Sequence, residues 1–203
     1  MRFKRELVWT VVAILLSFSS NSFSNILEQR MVRSVIDGDT IVFSTGEHAR
    51  LIGIDTPERE QPFYNEAAEL LRSFLIEPNV SVDYDKDRKD TYGRLLIYLY
   101  LPDGTNINDM MLENGMARVY FFPPNLSQRE EMITIQRRAI ENKVGLWASE
   151  PEGDEPYYVG DPKKLLFHCP NERIVKKIRN PVTFKNRIEA FLAGYGAFRG
   201  CKD

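Results

Sequence analysis

Past its first two dozen residues the chain breaks into short apolar runs divided by turns, with two longer helical patterns among them. Met31 to Ile36 and Thr40 to Ser44 read as short β segments separated by Asp37-Gly38-Asp39, with the glycine at a natural turn position. A second turn at Ser44-Thr45-Gly46-Glu47 leads into a third strand, His48 to Ile54, which Thr56-Pro57 closes because proline cannot donate to a ladder. From Asn65 to Ile76 the run NEAAELLRSFLI sets Ala67, Leu70, Phe74 and Ala68, Leu71, Leu75 at helical spacing, and Pro78 stops it. Val80 to Tyr84 and Leu95 to Leu101 predict strands on either side of a charged loop, Asp85 to Asp90. Asn108 to Asn114 predicts a short helix closed by Gly115, and Ala117 to Phe122 a further strand. The last pattern is a long helix from Ser127 to Asn142, with Ser127 as its cap and Glu130 completing a capping box.

Strands, helix, strands, short helix, strand, long helix: this order suits an α+β fold that is mainly β. Its natural form is a five-stranded OB-fold barrel with helices packed on it. Residues 25–148 form that domain, ending at Gly145-Leu146-Trp147. The acidic stretch 149–156 (SEPEGDEP) reads as a linker, and 157–203 as a small C-terminal module holding both cysteines, Cys169 and Cys201.

The N-terminus changes the picture of compartment. Arg2, Lys4 and Arg5 precede an apolar run from Leu7 to Phe18 and a small, polar exit, which is the layout of a secretory signal peptide over residues 1–24. The run is short for a spanning helix, which needs about 20 residues, so an uncleaved anchor is the lesser reading. The expectation is a secreted or periplasmic protein with no stable membrane association once the signal is removed. In an oxidising compartment the two cysteines are most simply a disulfide, the alternative being two free thiols.

Charge sets a constraint on any function. The chain carries 27 basic and 29 acidic residues, and the first 24 residues take away three bases and one acid, so the mature protein stands at 24 minus 28, or −4. That balance gives no support to a broad basic surface for nucleic acid; a few placed cations and a metal would have to hold such a substrate.

Three fragments could carry chemistry. Asp37-Gly38-Asp39-Thr40 puts two carboxylates on one turn, Arg50 to Glu58 (RLIGIDTPE) ends an apolar strand with two more, and Tyr92-Gly93-Arg94 follows the charged loop. A hard cation such as Ca²⁺ takes oxygen ligands, which Asp39 and Asp55 supply. Glu58 is placed to accept a proton from attacking water, and Arg50 and Arg94 to neutralise a phosphate whose charge grows in the transition state. Metal, base and two guanidinium groups make a minimal kit for splitting a phosphodiester. Taken singly the fragments are ordinary turn and helix-start sequences. Arg50 and Asp55 also stand an odd number of residues apart, so a regular strand points them to opposite faces. They converge only if the chain bends near Gly53 or at Asp55-Thr56-Pro57.

As a set, VIDGDT, ARLIGIDTPE and DTYGRLLIYLY, with GMARVY and the closing KVGLW, resemble the staphylococcal-nuclease (thermonuclease) family from about Met31 to Trp147. The resemblance implies that Asp39, Asp55 and the Thr56 carbonyl bind calcium, with Asp37 supporting them. It implies Arg50, Glu58 and Arg94 as the catalytic trio, and Tyr92 and Tyr120 beside the bound nucleotide. The implied partner is nucleic acid; the net acidic mature chain and one aromatic neighbour for a base lead us to expect single-stranded DNA or RNA in preference to duplex. Two departures concern substrate grip: the stretch after Glu58 is short, and VYFFPP blurs the family's tyrosine pair. The alternative is a non-catalytic nucleic-acid-binding OB module, against which the retained acids and arginines argue. The tail (YVGDPKKLLFHCP, then VTFKNRIEAFLAGYGAFRGC) is similar, more faintly, to the small zinc-binding module of the Ada DNA-repair protein. That module uses four cysteines; with two, and His168 beside them, the closed zinc site is incomplete.

Overall fold

The computed structural model describes residues 27–201, so the predicted signal segment lies outside the described residues. Five strands close a barrel in the order β1-β2-β3-β6-β5 and back to β1. They are β1 (Glu28–Val35), β2 (Thr40–Phe43), β3 (His48–Leu51), β5 (Asn79–Asp83) and β6 (Leu95–Tyr100). All neighbours are antiparallel except β3 and β6, which run parallel. Closure removes the exposed sheet edges. The barrel interior is filled by Ile41, Phe43, Ala49, Leu51, Val80, Val82, Ile97 and Leu99, all buried. This is the mixed OB-fold barrel that the element order predicts.

The predicted third strand is broken. β3 ends at Leu51, and a separate strand, β4 (Gly53–Asp55), leaves the barrel to pair with β7 (Arg118–Tyr120). Gly53 makes the break at φ +80°, where a side chain is also excluded because a Cβ would lie 2.6 Å from the Met132 sulfur. Buried Asn108 satisfies the backbone at this point: its amide donates to the Ile52 and Ile97 carbonyls at 2.9 and 3.3 Å, and its oxygen accepts from the Leu99 N–H at 3.0 Å.

Helices α1 (Tyr64–Phe74), α2 (Ile107–Glu113) and α3 (Arg129–Glu141) pack on this frame. α2 is capped by Asn106, whose side chain accepts from the Asn108 and Asp109 N–H groups. The capping box expected on α3 is not formed. Ser127 lies one residue before the cap position, Gln128; its N–H goes to Asp85 at 2.8 Å and its hydroxyl to Tyr98. A cross-chain carboxylate outcompetes the local cap.

In the tail, β8 (Tyr158–Asp161), β9 (Leu166–His168), β10 (Val182–Phe184) and β11 (Gly196–Ala197) form a sheet in the order β10-β8-β9-β11, with α4 (Arg187–Leu192) against it. Its apolar cluster takes in Ala139 of α3 and Trp147, so the tail packs on the barrel domain's last helix. Cys169 and Cys201 are bridged, with Cα atoms 5.2 Å apart. No helix of the described residues is long and apolar enough to cross a membrane.

Candidate active site

The β2–β3 register sets Thr40 opposite Arg50, which brings Arg50 alongside the Asp37–Asp39 turn. The bend at Gly53 then returns Asp55 to the same guanidinium. Arg50 Nη1 donates to Asp39 Oδ1 at 2.7 Å, and Nη2 donates to Asp55 Oδ1 at 3.1 Å and to the Ile54 carbonyl at 3.4 Å. One planar fork therefore ties both predicted metal-binding carboxylates together.

Asp39 is 3 % exposed. Its Oδ1 also accepts from the Thr40 hydroxyl at 2.9 Å and its Oδ2 from the Thr56 N–H at 3.3 Å, while Asp37 accepts from the Asp39 N–H at 3.1 Å. Burial pushes the Asp39 carboxyl up to about 6; Arg50 opposes that shift, and the charges of Asp37 and Asp55 add to it. Burial likewise works against the charge of Arg50, but Asp39 and Asp55 override it and hold the guanidinium above its ordinary value. Three carboxylates thus gather around one guanidinium. That donor set, hard oxygens in negative excess with one of them buried, fits a hard divalent cation.

A cleft of about 670 Å³ opens beside this cluster, and its lining includes Asp37, Arg50, Asp55, Glu58, Tyr92, Arg94 and Tyr120. Of the residues predicted for the site, Asp39 and Thr56 lie buried rather than on the cleft wall. Glu58 is 59 % exposed at its side chain, and its backbone N–H is held by Gln61 Oε1 at 2.8 Å. Arg94 is anchored by Asp90, which accepts from the Arg94 N–H at 3.0 Å and from Nε at 2.7 Å. Burial opposes the charge on Asp90, yet these bonds from Arg94 keep its carboxyl below the usual range. The Arg94 guanidinium lies 5.7 Å from the ring centroid of Tyr92, which is 86 % exposed. The Tyr120 ring lies 4.9 Å from that of Phe122, tilted by 59°, and Phe122 is also on the cleft.

Sequence reasoning missed Asp90 and Arg199. Asp90 carried a signal, since it stands four residues before Arg94 in the charged loop. Arg199 carried none: it belongs to the tail and reaches the cleft only through the tertiary packing of the last turn.

The family model described as staphylococcal nuclease homologue matches residues 48–149, just over half of the chain. The chain belongs to the staphylococcal nuclease family. Among its relatives, the thermonuclease of Staphylococcus hyicus is 35% identical over 143 residues, 65% of this chain and 83% of that protein. The thermonuclease of Staphylococcus intermedius is 36% identical over 129 residues, 59% of this chain and 76% of the relative. An uncharacterized endonuclease of Escherichia coli O157:H7 is 35% identical over 122 residues, again covering 59% and 76%. The matched span of this staphylococcal nuclease homologue holds Arg50, Asp55, Glu58, Tyr92, Arg94 and Tyr120, while Asp37 and Asp39 come before it and the disulfide-bearing tail after it.

Proposed function

We propose that the chain is an exported nuclease that hydrolyses phosphodiester bonds of DNA or RNA with calcium as its metal. One observation carries the reading. A single cleft presents Arg50, Glu58 and Arg94 next to a cluster of carboxylates, and two of those carboxylates are tied to Arg50. The names of the relatives, thermonuclease and endonuclease, support the same chemistry.

Asp39, Asp55 and the Thr56 carbonyl would hold the calcium. Bound there, the ion supplies Lewis-acid polarisation of the scissile phosphate. Glu58 takes a proton from the attacking water; the new P–O bond forms as the bond to the 5′ oxygen breaks, and that oxygen leaves with a proton from solvent. Arg50 and Arg94 offer paired N–H donors to the phosphate oxygens as their charge grows. Arg94 is prepared for this by Asp90, whose hold on the backbone N–H and Nε fixes the base of the guanidinium. Tyr92, exposed beside Arg94, offers a face on which a base can stack. With a mature chain of net −4 and exposed aromatic rings at the cleft, Tyr92 and Phe122, single strands or frayed ends are the preferred substrates.

The test is incubation of the purified chain with denatured DNA, RNA and duplex DNA, each with calcium and with excess chelator. Cleavage of single strands that chelator abolishes is expected. Undiminished cleavage in chelator overturns the metal, and a clear duplex preference overturns the substrate state. Strand binding without cleavage under any condition returns the protein to a non-catalytic binding module.

A further inference from the structure

One wall of the cleft comes from outside the nuclease barrel. Arg199 opens the single helical turn Arg199–Cys201 at the end of the tail, and it lines the cleft with Arg50, Glu58, Arg94 and Tyr120. We propose that Arg199 is a substrate-positioning residue that grips a backbone phosphate flanking the scissile one, so that the C-terminal module completes the nucleic-acid groove. The inference rests on the nuclease reading above.

Charge is the first argument. Arg50 and Arg94 are each held by a carboxylate at 2.7 Å, whereas the ion pair of Arg199 with Glu58 measures 3.9 Å between side chains 82 % and 59 % exposed. A contact that long and that solvated contributes little and is readily exchanged for a phosphate. With a mature chain of net −4, a cation displayed on the cleft wall matters more here than on a basic protein. Since two guanidinium groups already serve the scissile phosphate, a third beside Glu58 and Tyr120 meets its neighbour along the strand.

The second argument is placement. An exposed arginine on a loose tail would be a solvated surface charge. This one stands two residues before Cys201, which is bonded to Cys169. The Phe198 N–H donates to the Phe167 carbonyl at 2.9 Å, and the Phe198 ring lies 4.5 Å from that of buried His168. Just before it, Gly196 passes under Tyr120 so closely that a Cβ would sit 2.7 Å from the ring. Tyr120 and Arg199 line the same cleft. Disulfide, backbone and ring contacts together hold the arginine at the cleft.

The test uses the full exported chain. Binding of a fluorescent single-stranded 12-mer is followed by anisotropy in chelator, with strand integrity checked on a gel, for wild type, Arg199→Ala, Arg199→Lys and Arg199→Glu. Loss of one phosphate contact on a single strand should make the plot of log affinity against log salt shallower by about 0.7, equivalent to about fivefold in affinity at 0.1 M relative to 1 M salt. Arg199→Ala should show that change with an unaltered melting temperature, Arg199→Lys should recover most of it, and Arg199→Glu should bind weakest. Assayed with calcium, Arg199→Ala should raise KM on the 12-mer, and its loss should be smaller on a dinucleotide, whose single phosphodiester has no flanking phosphate to grip. Wild-type affinity and salt slope in Arg199→Ala overturn the inference, as does an equal loss of dinucleotide turnover. If wild type cuts neither substrate but the Arg199→Ala binding loss persists, the nuclease reading fails and the role of Arg199 stands.

Discussion

Arg94→Lys separates chemistry from folding most cleanly. In the folded chain Arg94 uses Nε and its backbone N–H on Asp90 and sits at the cleft beside Tyr92. Lysine keeps the charge but has one ammonium, which can pair with Asp90 or approach a phosphate and cannot do both in a fixed fork. The loss in the transition state should be that of a positioned donor to a developing oxyanion, ~3 kcal/mol, or a factor on the order of a hundred in kcal-to-rate conversion. The loss in stability should be small. The Asp90 pair is a partly exposed i,i+4 contact, for which ~0.5 kcal/mol is typical. For a chain of this size that shifts the melting temperature by only about 1–2 °C. The assay is kcat and KM on a single-stranded oligonucleotide with calcium, beside a thermal melt. Turnover within a few-fold of wild type refutes the assignment of Arg94 to the transition state. A large drop in melting temperature would place it in the structure instead.

Arg50→Lys should behave differently, because its fork bridges Asp39 and Asp55 and one ammonium cannot reach both; a loss of ~2 kcal/mol in stability should accompany the loss of rate, and an unchanged melt would contradict the geometry. Asp109 in α2 is pushed up to about 6, by burial first and then by Glu131 and Glu113, so its folded form binds its proton more tightly than the unfolded chain and stability from this group falls as pH rises from about 4 through 6. Asp109→Asn should therefore stabilise by ~1 kcal/mol at pH 7, discounted for partial exposure and for the favourable helix N-terminus, with no gain at pH 4; melts at both pH values check it. The bridged pair Cys169–Cys201 predicts no titratable thiol in the denatured, unreduced protein and no stoichiometric zinc, and two reactive thiols would contradict it.

The barrel was legible because its strands are separated by turn residues and its apolar positions are strictly local signals. Arg50, Asp55 and Arg94 were legible as candidates for the same reason, each lying in a short motif, and the structure brings all three to one cleft. What could not be read was how the pieces meet. A run of seven strand-like residues, His48 to Ile54, hides a change of partner at Gly53, since periodicity says nothing about which sheet a strand joins. Ser127 looks like a cap until Asp85, distant in sequence, takes its N–H. The acidic stretch after Trp147 reads as a linker, yet the Glu150 side chain is buried, paired with Arg118 of β7 and with Arg187 of α4. Long-range charge pairing of this kind leaves no period and no composition signature.

Those long-range pairings also connect the tail to the chemistry, and the connection runs through one small ribbon. β4 carries Asp55 and β7 carries Tyr120, and the two strands pair only with each other, outside the barrel ladder. Three short residues each have few bonds to resist displacement, so the ribbon is positioned by what grips β7. Buried Gln136 accepts from the Val119 N–H at 2.7 Å and donates to the Phe191 carbonyl of α4 at 2.7 Å. Arg118 reaches Glu150, which reaches Arg187. Every one of these links ends in the tail or in the stretch leading to it. A buried polar atom that loses its partner costs about 1–3 kcal/mol, so each link resists rearrangement strongly relative to its size. The barrel alone fixes Asp39 and Arg50 through the β2–β3 register. Asp55 is tied to Arg50 as well, and with Tyr120 it is braced a second time by the C-terminal module through these links. The tail therefore both lines the candidate cleft, through Arg199, and braces the strand beside it.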